Sequence, residues 1–276
     1  MREEATAFVP GHITGFFSAH HHDDPTKAGS RGAGITLTDG VEVTVSRTTG
    51  DPAVVFDGQR VDIEPVLTVL ETLEAPARVE ATSPLPLGSG FGVSGATALG
   101  TALAANRVFE RQLSYNELVT IAHGADVRAG TGLGDVVAQA HGGIPIRLEP
   151  GAPAHNSIDA IPSRARVEYV AFGELSTAEV ITGDTDQLSQ AGTESLSLVV
   201  DEPTLTSFMF ASRRFAREAE LLTADVRRAL EDVAAVEGQA AMAMLGNTVF
   251  ALGTGLSDAG YDPAVCGVHP AGAMLT

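Results

Sequence analysis

The sequence predicts an α+β fold that is divided into two lobes. In some segments apolar and polar residues alternate, as in strands, and in others apolar residues recur every three to four positions, as in helices. These segments follow one another without a regular strand–helix–strand order, which argues against a doubly wound sheet. A proline-rich segment, 149–163, marks a connection. We therefore expect one lobe over residues 1–155 and another over residues 156–276.

The first 50 residues are predicted to form strands and turns. Segment 34–47, GITLTDGVEVTVSR, alternates apolar and polar residues on both sides of Asp39-Gly40, a dipeptide typical of hairpin turns. A polar loop with several glycines, residues 18–34, precedes this predicted hairpin. Helical periodicity over residues 61–75 and strand alternation over residues 77–82 follow.

The middle of the first predicted lobe is rich in glycine. Residues 84–100, PLPLGSGFGVSGATALG, hold five glycines and lead into a predicted helix over residues 96–110. Ser114 and Glu117 form a capping box, which starts a second predicted helix that ends near Asp126. Beyond it we predict a glycine turn, a short helix and a strand, over residues 130–135, 136–140 and 143–151.

The second predicted lobe begins and ends with strands. The strands are predicted over residues 165–175 and 247–253, and two helices are predicted over residues 203–222 and 223–245. Gly246-Asn247 is the predicted stop signal of the second helix.

The chain is strongly acidic and nearly free of lysine. Its formal charge is −18, and Lys27 is the only lysine among 17 basic residues. Such a surface repels nucleic acid backbones and suits concentrated salt, where screening removes self-repulsion, so we expect a halophilic host and no nucleic-acid partner. The single cysteine, Cys266, excludes an internal disulfide, and no apolar stretch approaches the length of a membrane span. We expect a cytoplasmic protein, and a homodimer is compatible with these features.

The glycine-rich segment does not match two common nucleotide motifs. No Gly-Lys-Ser/Thr follows it, as a Walker A loop requires. Gly90, Gly92 and Gly95 have the spacing of a dinucleotide fingerprint, but Pro84 and Pro86 stand where that motif needs a strand.

The same segment suits a phosphate group. Glycines let backbone amides converge on an anion, and the following helix N-terminus favours negative charge. Three hydroxyl side chains are available as further donors or Mg²⁺ ligands: Ser89, Ser94 and Thr97. The alternative is a glycine-rich helix start that only packs tightly.

Three segments together resemble the motifs of the GHMP kinase superfamily. Segment 86–96, PLGSGFGVSGA, resembles the second motif of the family, and segment 9–15, VPGHITG, resembles the opening motif. Segment 130–135, GTGLGD, closed by Gly142-Gly143, resembles the segment that carries the catalytic aspartate. The phrases PGHITGFF, GSRGAGI and GTGLGDVVAQ are most similar to the archaeal pantoate kinase branch.

The chain also departs from the family pattern at three places. His12 stands where many relatives carry lysine or arginine, and Val93 replaces the first serine of the usual pair. The C-terminal glycine motif is reduced to residues 244–248, MLGNT.

The resemblance implies roles for named residues in nucleotide and metal binding. Asp135 is the implied catalytic group that orients the attacking hydroxyl, although an aspartate there also suits a helix N-cap. Asp126 and Ser94 are the implied Mg²⁺ ligands. The implied ATP-binding residues are Pro86, Gly88, Ser89, Gly90, Gly92, Ser94, Gly95, Ala96 and Thr97.

An anionic acceptor calls for arginine, because its planar fork binds a carboxylate through two parallel hydrogen bonds. The candidate acceptor-binding residues are Ser30, Arg31, His123 and Arg147. The run from His20 to Asp24 resembles a metal site, but consecutive residues rarely converge on one ion, so we predict a solvated loop.

The resemblance thus implies ATP-dependent phosphorylation of the primary hydroxyl of pantoate, on the path to coenzyme A. It also implies an N-terminal α+β lobe, a C-terminal ferredoxin-like lobe, and ATP with Mg²⁺ between them. A kinase for homoserine, mevalonate or shikimate is one alternative. A non-catalytic nucleotide-binding sensor of the same fold is another.

Overall fold

A computed structural model describes residues 3–173 and 185–276. Within these ranges the strands are β1 Glu4–His20, β2 Gly29–Arg47, β3 Ala53–Phe56, β4 Gln59–Val61, β5 Ala77–Thr82, β6 Pro145–Glu149, β7 Ser157–Ala160, β8 Arg166–Ala171, β9 Gln239–Ala243, β10 Thr248–Leu252, β11 Ala264–Gly267 and β12 Met274–Leu275. The helices are α1 Glu64–Thr72, α2 Val93–Phe109, α3 Tyr115–Arg128, α4 Asp135–His141, α5 Asp186–Asp201, α6 Leu205–Glu218, α7 Ala224–Ala235 and α8 Gly255–Asp258.

The strands form two sheets, so the predicted mixed α+β class is confirmed. The larger sheet has the order β12-β1-β2-β5-β3-β4, and β6 and β7 extend it from β2. The smaller sheet has the order β11-β8-β10-β9, and all its neighbouring strands are antiparallel. The helix α2 packs on β1 and β2 and is buried along most of its length. No helix in the described part of the chain is long and apolar enough to cross a membrane.

The predicted hairpin at Asp39-Gly40 is wrong. The strand β2 runs through both residues, because β1 is long enough to pair with it on either side of them. The register pairs Pro10 with Gly40 and His12 with Thr36, so Asp39 lies in a bulge and the chain does not reverse there. Asp39 Oδ2 accepts a hydrogen bond of 3.0 Å from the Tyr169 hydroxyl on the smaller sheet. This bulge therefore joins the two sheets.

The predicted helix over residues 223–245 is too long. The helix α7 ends at Ala235, and residues 239–243 form β9, which pairs with β10. A short apolar run such as QAAMA has no period that separates a buried strand from a helix, so pairing with β10 decides its structure. The helix α5 was not predicted at all. The predicted strand over residues 165–175 is confirmed as β8, and its last two positions lie outside the described residues.

The predicted loop over residues 18–34 is too long, because β1 extends to His20 and pairs there with Gly29 at the start of β2. The other local predictions agree with the structure. The helices α1, α2, α3 and α4 and the strands β5, β6 and β10 lie within the predicted segments or within a few residues of them. The capping box is present in full, since Ser114 Oγ accepts from Glu117 N while Glu117 Oε2 accepts from Ser114 N. The strand β7, which follows the predicted lobe boundary at residue 155, pairs with β6 of the larger sheet. The boundary itself stays a prediction.

A buried carboxylate stabilises the smaller sheet and gives a test of stability. Glu168 on β8 is 0% exposed and accepts hydrogen bonds from Leu256 N (3.1 Å), Ser257 N (3.0 Å) and Arg166 Nη2 (2.8 Å). Burial opposes its ionisation, but these bonds hold the pKa of Glu168 below its ordinary value. We expect Glu168→Gln to lower the free energy of unfolding by about 2 kcal/mol at neutral pH.

The loss of unfolding free energy in Glu168→Gln should become smaller as the pH falls. Because the folded-state pKa is lowered, the ionised carboxylate stabilises the fold above about pH 4.3, the ordinary glutamate pKa, and this contribution disappears as the pH falls through the lowered value. Denaturant titrations of the parent and Glu168→Gln in molar KCl should therefore converge in acid. A difference that persists or grows in acid would contradict this role.

Candidate active site

A cleft of about 630 Å³ opens beside the glycine-rich loop. Its walls come from the start of α1, the loop 87–94, residues 129–131, Asp135, and Met244 and Leu245 in the turn between β9 and β10. Of the predicted nucleotide-binding residues, four line this cleft: Gly88, Gly90, Gly92 and Ser94. Pro86 is exposed outside it, whereas Ser89, Gly95, Ala96 and Thr97 are buried behind the loop surface. The Thr97 hydroxyl donates to Val93 O within α2.

The loop has a backbone that only glycine adopts easily. Gly88, Gly90 and Gly92 have φ values of 72°, 85° and 63°, in the left-handed region. Gly92 is the N-cap of α2 and makes no side-chain cap, so the amides of the first turn face the loop without a competing side chain. A helix N-terminus of this kind attracts anions. The local geometry therefore suits phosphate.

The smaller sheet holds the loop in place. Thr248 Oγ1 donates to Ser89 O at 2.9 Å, and Met244 N donates to Thr14 O at 2.9 Å. A Cβ on Gly246 would collide with Ser89 O, so the chain approaches the loop closely at this point. The reduced C-terminal motif thus contacts the loop from the second lobe.

Gln139 is a functional candidate that sequence reasoning missed. It lies on α4, one turn after Asp135, and its Nε2 donates to Gly92 O at 2.9 Å. Its Oε1 is buried without a hydrogen-bond partner among the described residues. A glutamine inside the apolar run VVAQA, four residues from a predicted catalytic aspartate, is the signal that could have identified it. It connects the glycine-rich loop to the helix that carries Asp135.

Asp135 is the first residue of α4 and forms a close pair with His12 of β1. The N-cap is Gly134, so Asp135 does not cap the helix. His12 Nδ1 and Asp135 Oδ1 are 2.7 Å apart, and the side chains are 0% and 15% exposed. Burial lowers the pKa of His12, although the hydrogen bond to Asp135 and the charge of Asp135 oppose this. Burial opposes ionisation of Asp135, but the His12 hydrogen bond and the charge of Arg147 hold the pKa of Asp135 below its ordinary value.

Asp126 is a second buried carboxylate near Asp135. Its Oδ1 accepts from Thr131 Oγ1 at 2.6 Å. A Cβ on Gly132 would collide with Asp126 Oδ2 and lie 3.1 Å from Asp135 Oδ2, so both carboxylates reach the space above Gly132. Burial, and then the charge of Asp135, raise the pKa of Asp126 to about 7, although the Thr131 bond opposes this. Carboxylate and hydroxyl oxygens suit a hard cation, and Ser94 offers a hydroxyl at the cleft, so the residues fit Mg²⁺.

Arg147 on β6 is fully enclosed, yet its guanidinium is incompletely bonded. It is 1% exposed, and neither Nε nor Nη1 has a hydrogen-bond partner among the described residues. A Cβ on Gly134 would lie 2.5 Å from Ser30 Oγ and 2.7 Å from Arg147 Nε, so the Ser30 hydroxyl and the guanidinium meet beside Asp135. Burial lowers the pKa of Arg147 to about 10, so it remains charged at neutral pH. A buried cation whose N–H donors are unsatisfied is expected to bind an anion.

The other predicted acceptor residues differ in position. His123 is buried on α3 and donates from Nε2 to Ala28 O at 2.9 Å. Burial, and then the nearby charge of Arg147, lower the pKa of His123, although the Ala28 bond opposes this. Arg31 follows Ser30 on β2, so it points to the opposite face of the strand, where its Nε donates to Leu148 O at 2.6 Å. In the run 20–24, His20 is the last residue of β1 and its ring contacts the Ser18 hydroxyl, and His22 Nδ1 accepts from Asp24 N.

Comparisons with known proteins point to one family. The family of GHMP kinases N terminal domains matches residues 63–143. The pantoate kinase of Methanospirillum hungatei is 35% identical over 90% of this chain and 87% of its own length, and that of Methanocaldococcus jannaschii is 34% identical over 89% and 91%. A solved structure described as a phosphotransferase related to the CoA biosynthesis pathway is 31% identical, with a TM-score of 0.89 over 99% of this chain and 98% of that one.

Proposed function

This chain belongs to the GHMP kinase family, and we propose that it transfers the γ-phosphoryl group of ATP to the primary hydroxyl of pantoate, in coenzyme A biosynthesis. The observation that carries the proposal is Arg147, whose Nε and Nη1 have no hydrogen-bond partner in the described part of the chain and whose guanidinium lies near Ser30 Oγ, beside Asp135. The similarity to pantoate kinases over about nine-tenths of the chain supports the same acceptor.

The acceptor carboxylate is assigned to Arg147 rather than to Arg31. Nε and Nη1 of this buried guanidinium have no hydrogen-bond partner among the described residues, and they lie on different edges of the group, so each can donate to an oxygen of an anionic acceptor. Ser30 adds a hydroxyl at the same point, and we propose His123 as a further contact. This arrangement leaves the primary hydroxyl of the acceptor at Asp135.

Asp135 then takes the proton of the acceptor hydroxyl. As this oxygen bonds to the γ-phosphorus, the bond from phosphorus to the bridging oxygen breaks, and its electron pair leaves with ADP. The loop amides and the α2 N-terminus hold the phosphates during the transfer. The lowered pKa of Asp135 keeps the carboxylate ionised at neutral pH, so it can orient the acceptor hydroxyl and take its proton as the transfer proceeds.

We propose that Asp126 and Ser94 hold Mg²⁺, which neutralises phosphate charge when it is bound. The cleft needs such a cation. Asp62, Glu64 and Asp135 line it, and none of its described lining residues is lysine or arginine. Repulsion between these carboxylates and a triphosphate would otherwise oppose binding.

Cellular setting and assembly are part of the proposal. The charge of −18 with one lysine supports a halophilic archaeal host, and the use of ATP supports a cytoplasmic enzyme. The homodimer stays a prediction, which light scattering in molar KCl would test.

Gly92→Val is expected to weaken ATP binding much more than Ser89→Ala. Valine is strained at φ 63°, and its Cβ would lie 2.9 Å from Gln139 Nε2 and 3.0 Å from Asp135 Cβ. Ser89→Ala removes one hydroxyl and leaves the loop backbone unchanged. Calorimetric titration with ATP and Mg²⁺ in molar KCl measures both affinities, and circular dichroism checks the fold.

Gly92→Asn separates backbone strain from crowding, because asparagine tolerates a left-handed backbone but still projects a side chain. We expect it also to bind ATP weakly. A folded Gly92→Val protein that binds ATP as tightly as the parent would mean that this loop does not cradle phosphate.

The function is tested by ATP consumption with a panel of acceptors in molar KCl: pantoate, homoserine, mevalonate and shikimate. We expect turnover with pantoate, and ³¹P NMR should identify 4-phosphopantoate. Faster turnover with another acceptor would reassign the substrate. ATP binding without turnover on any acceptor would favour the sensor.

A further inference from the structure

His12 is enclosed at the junction of three parts of the active site. It lies on β1 with a 0% exposed side chain, and its backbone N donates to Phe91 O of the glycine-rich loop at 3.0 Å. Its ring contacts Asp135 on α4 through Nδ1. A residue whose backbone bonds the glycine-rich loop and whose buried ring bonds Asp135 is well placed to set their relative position.

The surroundings of the ring determine which nitrogen carries the proton. His12 Nε2 is buried and has no hydrogen-bond partner among the described residues. A Cβ on residue 34 would collide with His12 Nε2, so the ring occupies the space that Gly34 leaves open. An unprotonated ring nitrogen costs less free energy in this buried site than an N–H group, because the N–H group would be an unsatisfied donor. The proton is therefore on Nδ1, where Asp135 Oδ1 accepts it.

We infer that His12 is a positioning residue for phosphoryl transfer: its neutral Nδ1–H fixes Oδ1 of Asp135 and thereby directs the other carboxylate oxygen toward the acceptor hydroxyl. The inference rests on the proposed kinase function. It assigns His12 a different task from the lysine or arginine expected at this position, because a neutral donor orients the carboxylate without adding a permanent charge. Arg147 supplies a permanent positive charge near Asp135.

Three substitutions separate positioning from packing. His12→Leu removes the donor. His12→Asn places an amide nitrogen near the position of Nδ1, whereas His12→Gln places it about one bond further out. We expect kcat to fall about 100-fold for His12→Leu, the scale of a misoriented catalytic group, with the KM values for ATP and the acceptor changed little. His12→Asn should restore most of kcat, and His12→Gln should not.

Thr101→Val is the matched control for the loss of a buried polar group in the same lobe. Its hydroxyl is fully enclosed and donates only to Thr97 O within α2. We expect it to lower the unfolding temperature and to leave kcat near that of the parent. A His12→Leu protein that is destabilised but keeps parental kcat would overturn the inference.

A spectroscopic measurement does not depend on activity or on the stability of a variant. ¹⁵N NMR of the parent should show His12 as a neutral ring protonated at Nδ1. A ring protonated at Nε2, or a cationic ring at neutral pH, would overturn the inference. If the parent turns over an acceptor other than pantoate, kcat is measured with that acceptor, and the proposed substrate fails while the role of His12 is still tested. If no acceptor turns over, the kinase proposal fails and this role fails with it.

Discussion

Replacing Asp135 with asparagine is expected to lower kcat by about two orders of magnitude or more, while the fold and ATP affinity stay close to those of the parent. Asparagine has the same shape, and its side-chain oxygen still accepts the hydrogen bond from His12 Nδ1. The change removes the charge and the ability to take the acceptor proton. Of the changes considered, this one should reduce turnover most.

The measurement is single-turnover transfer from ATP in molar KCl, with nucleotide affinity determined separately by calorimetry. Asp39→Asn is a matched control, because Asp39 is a carboxylate of the larger sheet that bonds Tyr169 and lies outside the predicted active site. It should keep kcat within a few-fold of the parent. Near-normal turnover of a folded Asp135→Asn protein would remove Asp135 from the mechanism.

Arg147→Ala is expected to raise the KM for pantoate roughly 30- to 150-fold, with little change in the KM for ATP. This factor corresponds to a loss of about 2 to 3 kcal/mol in binding free energy. The reason is the loss of two donors that have no partner within the described protein and lie next to Ser30 Oγ. Arg31→Ala should change the KM for pantoate much less, because Arg31 is already bonded to Leu148 O on the other face of β2.

Because Arg147 is buried, a second variant is included for the case in which Arg147→Ala does not fold. Arg147→Lys keeps the positive charge but loses the planar fork, and we expect an intermediate increase in the KM for pantoate. Circular dichroism and denaturant titration check both proteins. If a folded Arg147 variant raises the KM for pantoate no more than it raises the KM for ATP, the carboxylate of pantoate is bound by another residue.

Local structure followed well from the sequence where its signals act over a few residues. The capping box at Ser114 starts α3, and Gly88, Gly90 and Gly92 adopt left-handed backbone just before α2. Caps and turns depend on hydrogen bonds and steric limits within one or two turns of chain, so the residues alone indicate them. The motif order also predicted the kinase family.

Pairing between distant segments overrode two local signals. Asp39-Gly40 is a good turn sequence, but β1 offers a continuous partner on both sides of it, and the sheet bonds gained outweigh the local preference. Residues 239–243 are equally compatible with helix and strand, and the neighbouring β10 made them a strand. Such choices depend on which chain lies alongside, which composition and period do not reveal.

The sequence by itself predicted the α+β class from its periodicities and the family from short contiguous motifs, and both are confirmed; the phosphate-binding role of the glycine-rich loop and the roles of the candidate site residues stay predictions. Only the tertiary structure distinguished Arg147 from Arg31, joined Gln139 to Gly92, and paired His12 with Asp135 across 123 positions. The physical reason is burial. A side chain acquires its partners, its shifted pKa and its unsatisfied donors only when distant segments exclude water around it.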